Sequence, residues 1–449
     1  MVVSTLRADS SNALHWLSSF RQLRAALIAL VCMFVVGCAH QAPISRPSKP
    51  QAQNTHQHHG RALTGYHHHA ARYYGPRYYG PRRHDYGYHR PTTGEASEEA
   101  PPEKPTPTGA EAPNKPAIKG LVPVYFATNR EVMGGPNLQL KQITYDRSAT
   151  NTYGCVTVSI PIVHKMGEVE TPKTYLYGIW TEAEQDGKHF RIQTLSKLSR
   201  EEFASAIANP ADSLMLFVHG YNVPFSDAAF KAAQIAFDAN YKGRVMIYSW
   251  PSKGGLADYD YDRESALHAT DGLFDLLKLI KTEGNVSRII LIAHSLGSEV
   301  VLGALQQAAL SQTALGITEL IFAAPDVDRD LYLERANQIK AAAGAVTVYA
   351  SSTDLALLAS MKKAQSKSRM GYVTKSGPTL VSGIETIDVS AVGSEMFALN
   401  HSTYSTSRAV LDDIGRIISS SSHLKPPQRT PTLRSMPNEL NATYWMYPY

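Results

Sequence analysis

Two hydrophobic periods alternate along the chain from Val122 to Ile418. Short apolar runs, rich in β-branched and aromatic residues, have the length of buried strands. They are "LVPVYFATNR", "CVTVSIPIV", "SLMLFVHG", "RVMIYSW", "RIILIAHS", "ITELIFAAPDVD", "AVTVYASSTD" and "IETIDVSAV". Between them the apolar positions recur at helical spacing. This predicts helices over Ser226 to Asn240, over Asp262 to Glu283, through Val300, Val301, Leu302 and Leu305, over Leu331 to Ala343, and over Ser405 to Ile418. In the long one, Leu273, Leu276, Leu277 and Ile280 share a face. Ser199-Arg200-Glu201-Glu202 matches a capping box and opens one further short helix. Apolar strands alternating with helices make an α/β fold, a mostly parallel sheet with helices on both faces.

Outside this region the pattern fails. The apolar run "AALIALVCMFVVG", Ala25 to Gly37, follows Arg21 and Arg24. At ~1.5 Å per helical residue it falls short of a ~30 Å hydrocarbon core, so it reads as an export signal. Its end, Val35-Val36-Gly37-Cys38, resembles the lipobox of bacterial lipoproteins. That resemblance implies cleavage before Cys38, a lipid on its thiol and, with Ala39 next, an outer-membrane anchor in the cell envelope. Residues 38–118 are rich in Pro, His, Gly, Arg and Tyr, with "RYYGP" at Arg72 and again at Arg77, and read as a disordered tether. His58, His59 and His67-His68-His69 lack the spacing of a structured metal site and read as solvated spacer, the alternative being a low-affinity Zn or Ni buffer. The Pro-rich stretch over 421–449 is expected as a flexible tail, leaving 119–420 as the folded domain.

Composition narrows the function. A 43% hydrophobic and 18% charged chain of 449 residues holds a substantial core. A net charge of +5 is too small at this length to argue for a nucleic-acid partner, and three cysteines make no disulfide scaffold. No motif calls for a cofactor or a metal ion.

In an open α/β sheet, ligands bind beyond the carboxyl ends of the strands. Those ends carry His219-Gly220-Tyr221-Asn222, Trp250-Pro251-Ser252, His294-Ser295, Asp326 with Asp328, Ser352-Thr353-Asp354, and a last loop with His401. Ser295 stands in Ala293-His294-Ser295-Leu296-Gly297, between a strand and a helix, with alanine at the first glycine position of a G-x-S-x-G elbow. A methyl group is the smallest side chain that such a turn can be asked to admit. A serine hydroxyl needs a base, a carboxylate to orient that base, and N–H donors for the oxyanion. The Leu296 N–H at the helix start is one donor, and the N–H of Tyr221 or Asn222 after Gly220 is the other. Ser295, Asp354 and His401 then follow the chain order nucleophile, acid, base. Asp326 is an alternative acid, although its place before a helix also suits it to a cap. His219 and His294 read as structural, Trp250 as pocket wall, and Asp258, Asp260 and Asp262 as a solvated acidic loop.

The stretches "VPVYFATNR", "CVTVSIP", "FVHGYN", "YSWPSKG", "AHSLGSEV", "IFAAPDVDRD", "YASSTDLAL" and "NHSTY" give the chain a further meaning. From about Val122 to Ile418 it resembles a bacterial, esterase/lipase-like branch of the α/β-hydrolase superfamily known as a domain of unknown function. The resemblance implies Ser295 as nucleophile, His401 as base, Asp354 as acid, and Tyr221 with Leu296 as oxyanion donors. It implies a serine hydrolase, a carboxylesterase acting on a small-molecule or lipid-like acyl ester, held at a membrane by its N-terminal lipid. The competing expectation is a surface lipoprotein that uses the hydrolase fold only to bind. The segment from Lys362 to Thr379 is expected as a small lid.

Overall fold

The structure is a computed structural model, and it describes residues 118–175, 180–255, 257–392, 406–437 and 443–448. The expected signal segment, Cys38, the tether and His401 lie outside the described residues. The amino-terminal part holds β1 (Ile118–Val132), β2 (Ile143–Pro161), the short pair β3 (Thr174–Tyr175) and β4 (Trp180–Thr181), and β5 (Arg191–Leu198). Then come α1 (Arg200–Ala208), β6 (Ala211–Val218), α2 (Phe225–Asp238), β7 (Arg244–Ser249), α3 (Tyr259–His268) and α4 (Thr270–Glu283). The alternation continues with β8 (Val286–His294), α5 (Gly297–Leu310), β9 (Ile317–Ala323), α6 (Arg329–Ala342), β10 (Ala343–Ala350) and α7 (Leu355–Ala364). Last are β11 (Glu385–Asp388), α8 (Thr406–Ser419), α9 (Pro426–Arg429), β12 (Arg434–Pro437) and β13 (Thr443–Met446).

These strands, apart from β3 and β4, form an 11-stranded sheet in the order β12-β13-β11-β10-β9-β8-β6-β7-β1-β2-β5. The run from β1 through β7, β6, β8, β9 and β10 to β11 is parallel, as the unbroken apolar strands require. Along β6 the side chains alternate between two cores. Leu214, Leu216 and Val218 pack with α1 and α3 to α6, while Met215 and Phe217 pack with α2 and α8. This is the α/β-hydrolase fold. The chain passes from β6 to β7 on one side and returns to β8 on the other, so the strand order switches at β6. A crevice therefore opens at the carboxyl ends of β6 and β8.

Three local readings need correction. The single helix expected over Asp262 to Glu283 is two helices, α3 and α4, broken at Ala269. There the Tyr248 hydroxyl donates to the Ala269 carbonyl at 2.9 Å, and the Asn151 amide donates to that of Gly272 at 2.7 Å. The stretch expected as a flexible tail is folded where it is described. β13 pairs with β11, and Arg429 is buried against Asp413 at 2.9 Å and Glu385 at 3.0 Å. The Pro-rich composition by itself predicts no order, and one buried guanidinium with Leu433 and Tyr447 supplies the buried contacts that fold it. The expected lid between Lys362 and Thr379 is instead pinned to the loop that follows β9. The Met370 N–H donates to the Val327 carbonyl at 2.8 Å, and that of Gly371 to Pro325 at 3.0 Å. Among the described residues no helix is long and apolar enough to cross a membrane.

Candidate active site

Ser295 occupies the turn between β8 and α5, and its φ of 49° lies in the left-handed region. A non-glycine residue holds that conformation only where its surroundings force it. Here the Ser295 N–H donates to the Ala323 carbonyl at 3.0 Å, and the Ser295 carbonyl accepts from the Asp326 N–H at 3.1 Å. Two glycines let the neighbouring backbone close in. A Cβ on Gly297 would lie 2.3 Å from the His219 carbonyl oxygen, and one on Gly220 would lie 2.9 Å from the Ser295 Cβ. Ala293 is wholly buried in register with Val218 and Phe322, so its methyl is accommodated in the sheet. The elbow is sharp, and the serine side chain is half-exposed at the crevice.

The facing wall is the loop after β6. The Asn222 N–H is committed to Asp262 Oδ2 at 3.0 Å, and Asn222 itself has φ 59°. The Leu296 amide, at the start of α5, has no preceding helical turn to supply an acceptor. The Tyr221 hydroxyl donates to the Gly255 carbonyl at 2.9 Å, and its ring meets that of Tyr259 edge-on at 5.3 Å. Burial, with the charges of Asp262 and Asp258, pushes the Tyr221 phenol up to about 12.

Beneath the loop lies a buried polar layer. His219 Nδ1 donates to the Gly220 carbonyl at 2.9 Å, so Nε2 is the acceptor, 3.4 Å from Ser249 Oγ. Burial, reinforced by Arg130, pulls this imidazole down to about 3, and burial with Lys231 does the same to His294. Both rings are neutral near pH 7 and are poor bases. Trp250, expected as pocket wall, is wholly buried; it stacks on His219 at 4.9 Å and donates to its carbonyl at 2.8 Å. Two further residues of this layer escaped the sequence reading. Asp262 is fully buried rather than part of a solvated loop, and Arg130, at the end of β1, is 2% exposed. Asp262 was legible in principle, since it continues the buried face of α3 that carries Ser265 and Ala266 at helical spacing.

The two candidate acids are held differently. Asp326 Oδ1 accepts from Ser360 Oγ at 2.6 Å and lies 3.1 Å from Arg369 Nε, while Oδ2 accepts from the Tyr259 hydroxyl at 2.8 Å. The capping role expected of it belongs to Asp328, which takes the N–H groups of Asp330 at 2.9 Å and Leu331 at 3.3 Å. Asp354 follows β10, is buried, and accepts the Leu357 N–H at 3.0 Å as the cap of α7. One turn beyond Ser295, burial pushes the Glu299 carboxyl up to about 7, against the opposing charge of Arg263. Among the described residues no group of three or more His, Cys, Asp or Glu side chains could hold a metal ion. A cavity of about 900 Å³ bordered by Tyr125, Tyr241 and Arg244 opens at the other end of the sheet, away from Ser295.

The family described as alpha/beta hydrolase of unknown function (DUF900) matches residues 196–420. An uncharacterized protein of Nostoc sp. is 30% identical over 132 residues, which make up 24% of this chain and 34% of that protein. The chain thus covers about a third of the length of this curated relative, 34%.

Proposed function

We propose that this chain, which belongs to that alpha/beta-hydrolase family of unknown function, is a serine hydrolase that cleaves acyl esters as a carboxylesterase. The left-handed backbone of Ser295 at the switch point of the sheet carries this reading. In the proposed reaction Ser295 Oγ attacks the ester carbonyl carbon while His401 takes its proton. Asp354 orients the imidazole and stabilises its positive charge. The oxyanion of the tetrahedral intermediate is received by the N–H groups of Tyr221 and Leu296. Asp262 already holds the Asn222 amide, which favours Tyr221 as the donor from its loop. The protonated His401 gives its proton to the departing alkoxide, leaving an acyl ester on Ser295. Water, deprotonated by His401, then releases the acid and restores the serine.

Ser295→Ala tests the proposal. Loss of the nucleophile is expected to lower kcat toward p-nitrophenyl esters by about 10⁶-fold. The fold should persist, because the left-handed turn is set by backbone bonds to Ala323 and Asp326. Undiminished hydrolysis by a folded Ser295→Ala protein would end this reading.

A further inference from the structure

An oxyanion amide acts only if it already points at the site where charge develops. A peptide unit is planar and trans, so its C=O and N–H point in opposite directions, and fixing one fixes the other. The Tyr221 N–H shares its peptide unit with the Gly220 carbonyl, and that carbonyl is held by His219 Nδ1 at 2.9 Å. The next units are held as well. Asp262 Oδ2 accepts the Asn222 N–H at 3.0 Å, and the Val223 N–H donates to Ser252 Oγ at 3.0 Å.

All these contacts lead back to one buried pair. Asp262 Oδ2 also accepts from Ser252 Oγ at 2.6 Å, and Oδ1 accepts from the Lys253 N–H at 2.8 Å. Arg130 donates to the Val223 carbonyl at 2.8 Å, to the Ser252 carbonyl at 2.9 Å and to Ser249 Oγ at 3.0 Å. Ser249, accepting from Arg130, has its own proton to give to His219 Nε2, which fixes the tautomer that holds Gly220. The carboxylate and the guanidinium thus join the loops after β6 and β7.

We infer that Asp262 and Arg130 are positioning residues for catalysis, which aim the Tyr221 amide by holding its own peptide unit, through Ser249 and His219, and the units that follow it. This rests on the serine-hydrolase reading of Ser295. A side chain that only supported folding would change the amount of competent protein. A side chain that aims the amide changes transition-state binding in every competent molecule.

The test uses the full chain as wild type, Asp262→Asn and Ser252→Ala. Competent sites are counted with a fluorophosphonate, and kcat and KM are measured per competent site on p-nitrophenyl butyrate. Inhibition is measured with an alkyl trifluoromethyl ketone, whose adduct carries an oxyanion. In Asp262→Asn an amide NH₂ would face backbone N–H donors, and kcat is expected to fall about 10²- to 10³-fold. KM should stay within about threefold, and the ketone Ki should rise in parallel with the loss in kcat/KM. Ser252→Ala removes one hydroxyl and leaves both charged side chains in place. It is expected to lose about tenfold in kcat with the same parallel shift, and it carries the test alone if Asp262→Asn does not fold. Unchanged kcat per competent site, or a lower kcat with an unchanged ketone Ki, would overturn the inference while Ser295 chemistry stood. A wild-type protein that neither binds the fluorophosphonate nor hydrolyses the ester would overturn both.

Discussion

Asp326 and Asp354 end neighbouring strands, and what already holds each separates their roles. Asp326 is engaged by Tyr259, Ser360 and Arg369, a buried network that ties α3, β9 and α7 together. Asp354→Asn is expected to cost about 10⁴ in kcat, because in the proposed reaction the base loses its orienting charge. Asp326→Asn would strand the buried Arg369 cation and destabilise the fold by about 3–5 kcal/mol, with little change in kcat per folded molecule. Esterase assays beside denaturant unfolding distinguish the two. A large kcat loss in a stable Asp326→Asn protein, with Asp354→Asn active, would transfer the acid role. The turn at Ser295 was legible because a strand, small residues and a helix meet around it in sequence. Arg130 was not, because its partners Val223, Ser249 and Ser252 lie far along the chain and become neighbours only in the folded sheet.

At the scale of elements, the loop after β2 is clamped to α2 by one histidine. The His164 side chain is 2% exposed, with Nδ1 2.8 Å from Glu170 Oε2 and Nε2 2.9 Å from Asp238 Oδ1. Burial pulls this imidazole down, but hydrogen bonds and charge from Asp238 and Glu170 outweigh it and raise its pKa to about 9. A raised folded-state value means the folded chain keeps a proton that the unfolded chain loses. The clamp's contribution is therefore complete below about 6.5 and is lost as pH rises through about 9. Unfolding free energy should decline across that window in the wild type and decline less in His164→Gln. Equal slopes in the two proteins would count against the clamp. Strands and most helices were legible because their periods are local. The break between α3 and α4 was not, since Tyr248 and Asn151 reach it from other strands.

Across the whole molecule, the alternation of apolar runs and helical spacing was enough to give the sheet and both of its covering layers. It could not give the strand order, and that order brings Gly220 and Ser295 together. Nor could it give the docking of the carboxyl-terminal strands, which depends on Arg429 finding Asp413 and Glu385. The sheet positions a strained serine, a committed loop and a buried carboxylate at one end of its strands. All of this turns on Ser295 being an activated nucleophile. Treating the full chain with a fluorophosphonate probe and locating the adduct by peptide mass spectrometry tests it most directly. One phosphonyl adduct is expected, on the peptide containing Ser295, and none in Ser295→Ala. A folded wild-type protein left unmodified, or modified at another serine, would contradict it.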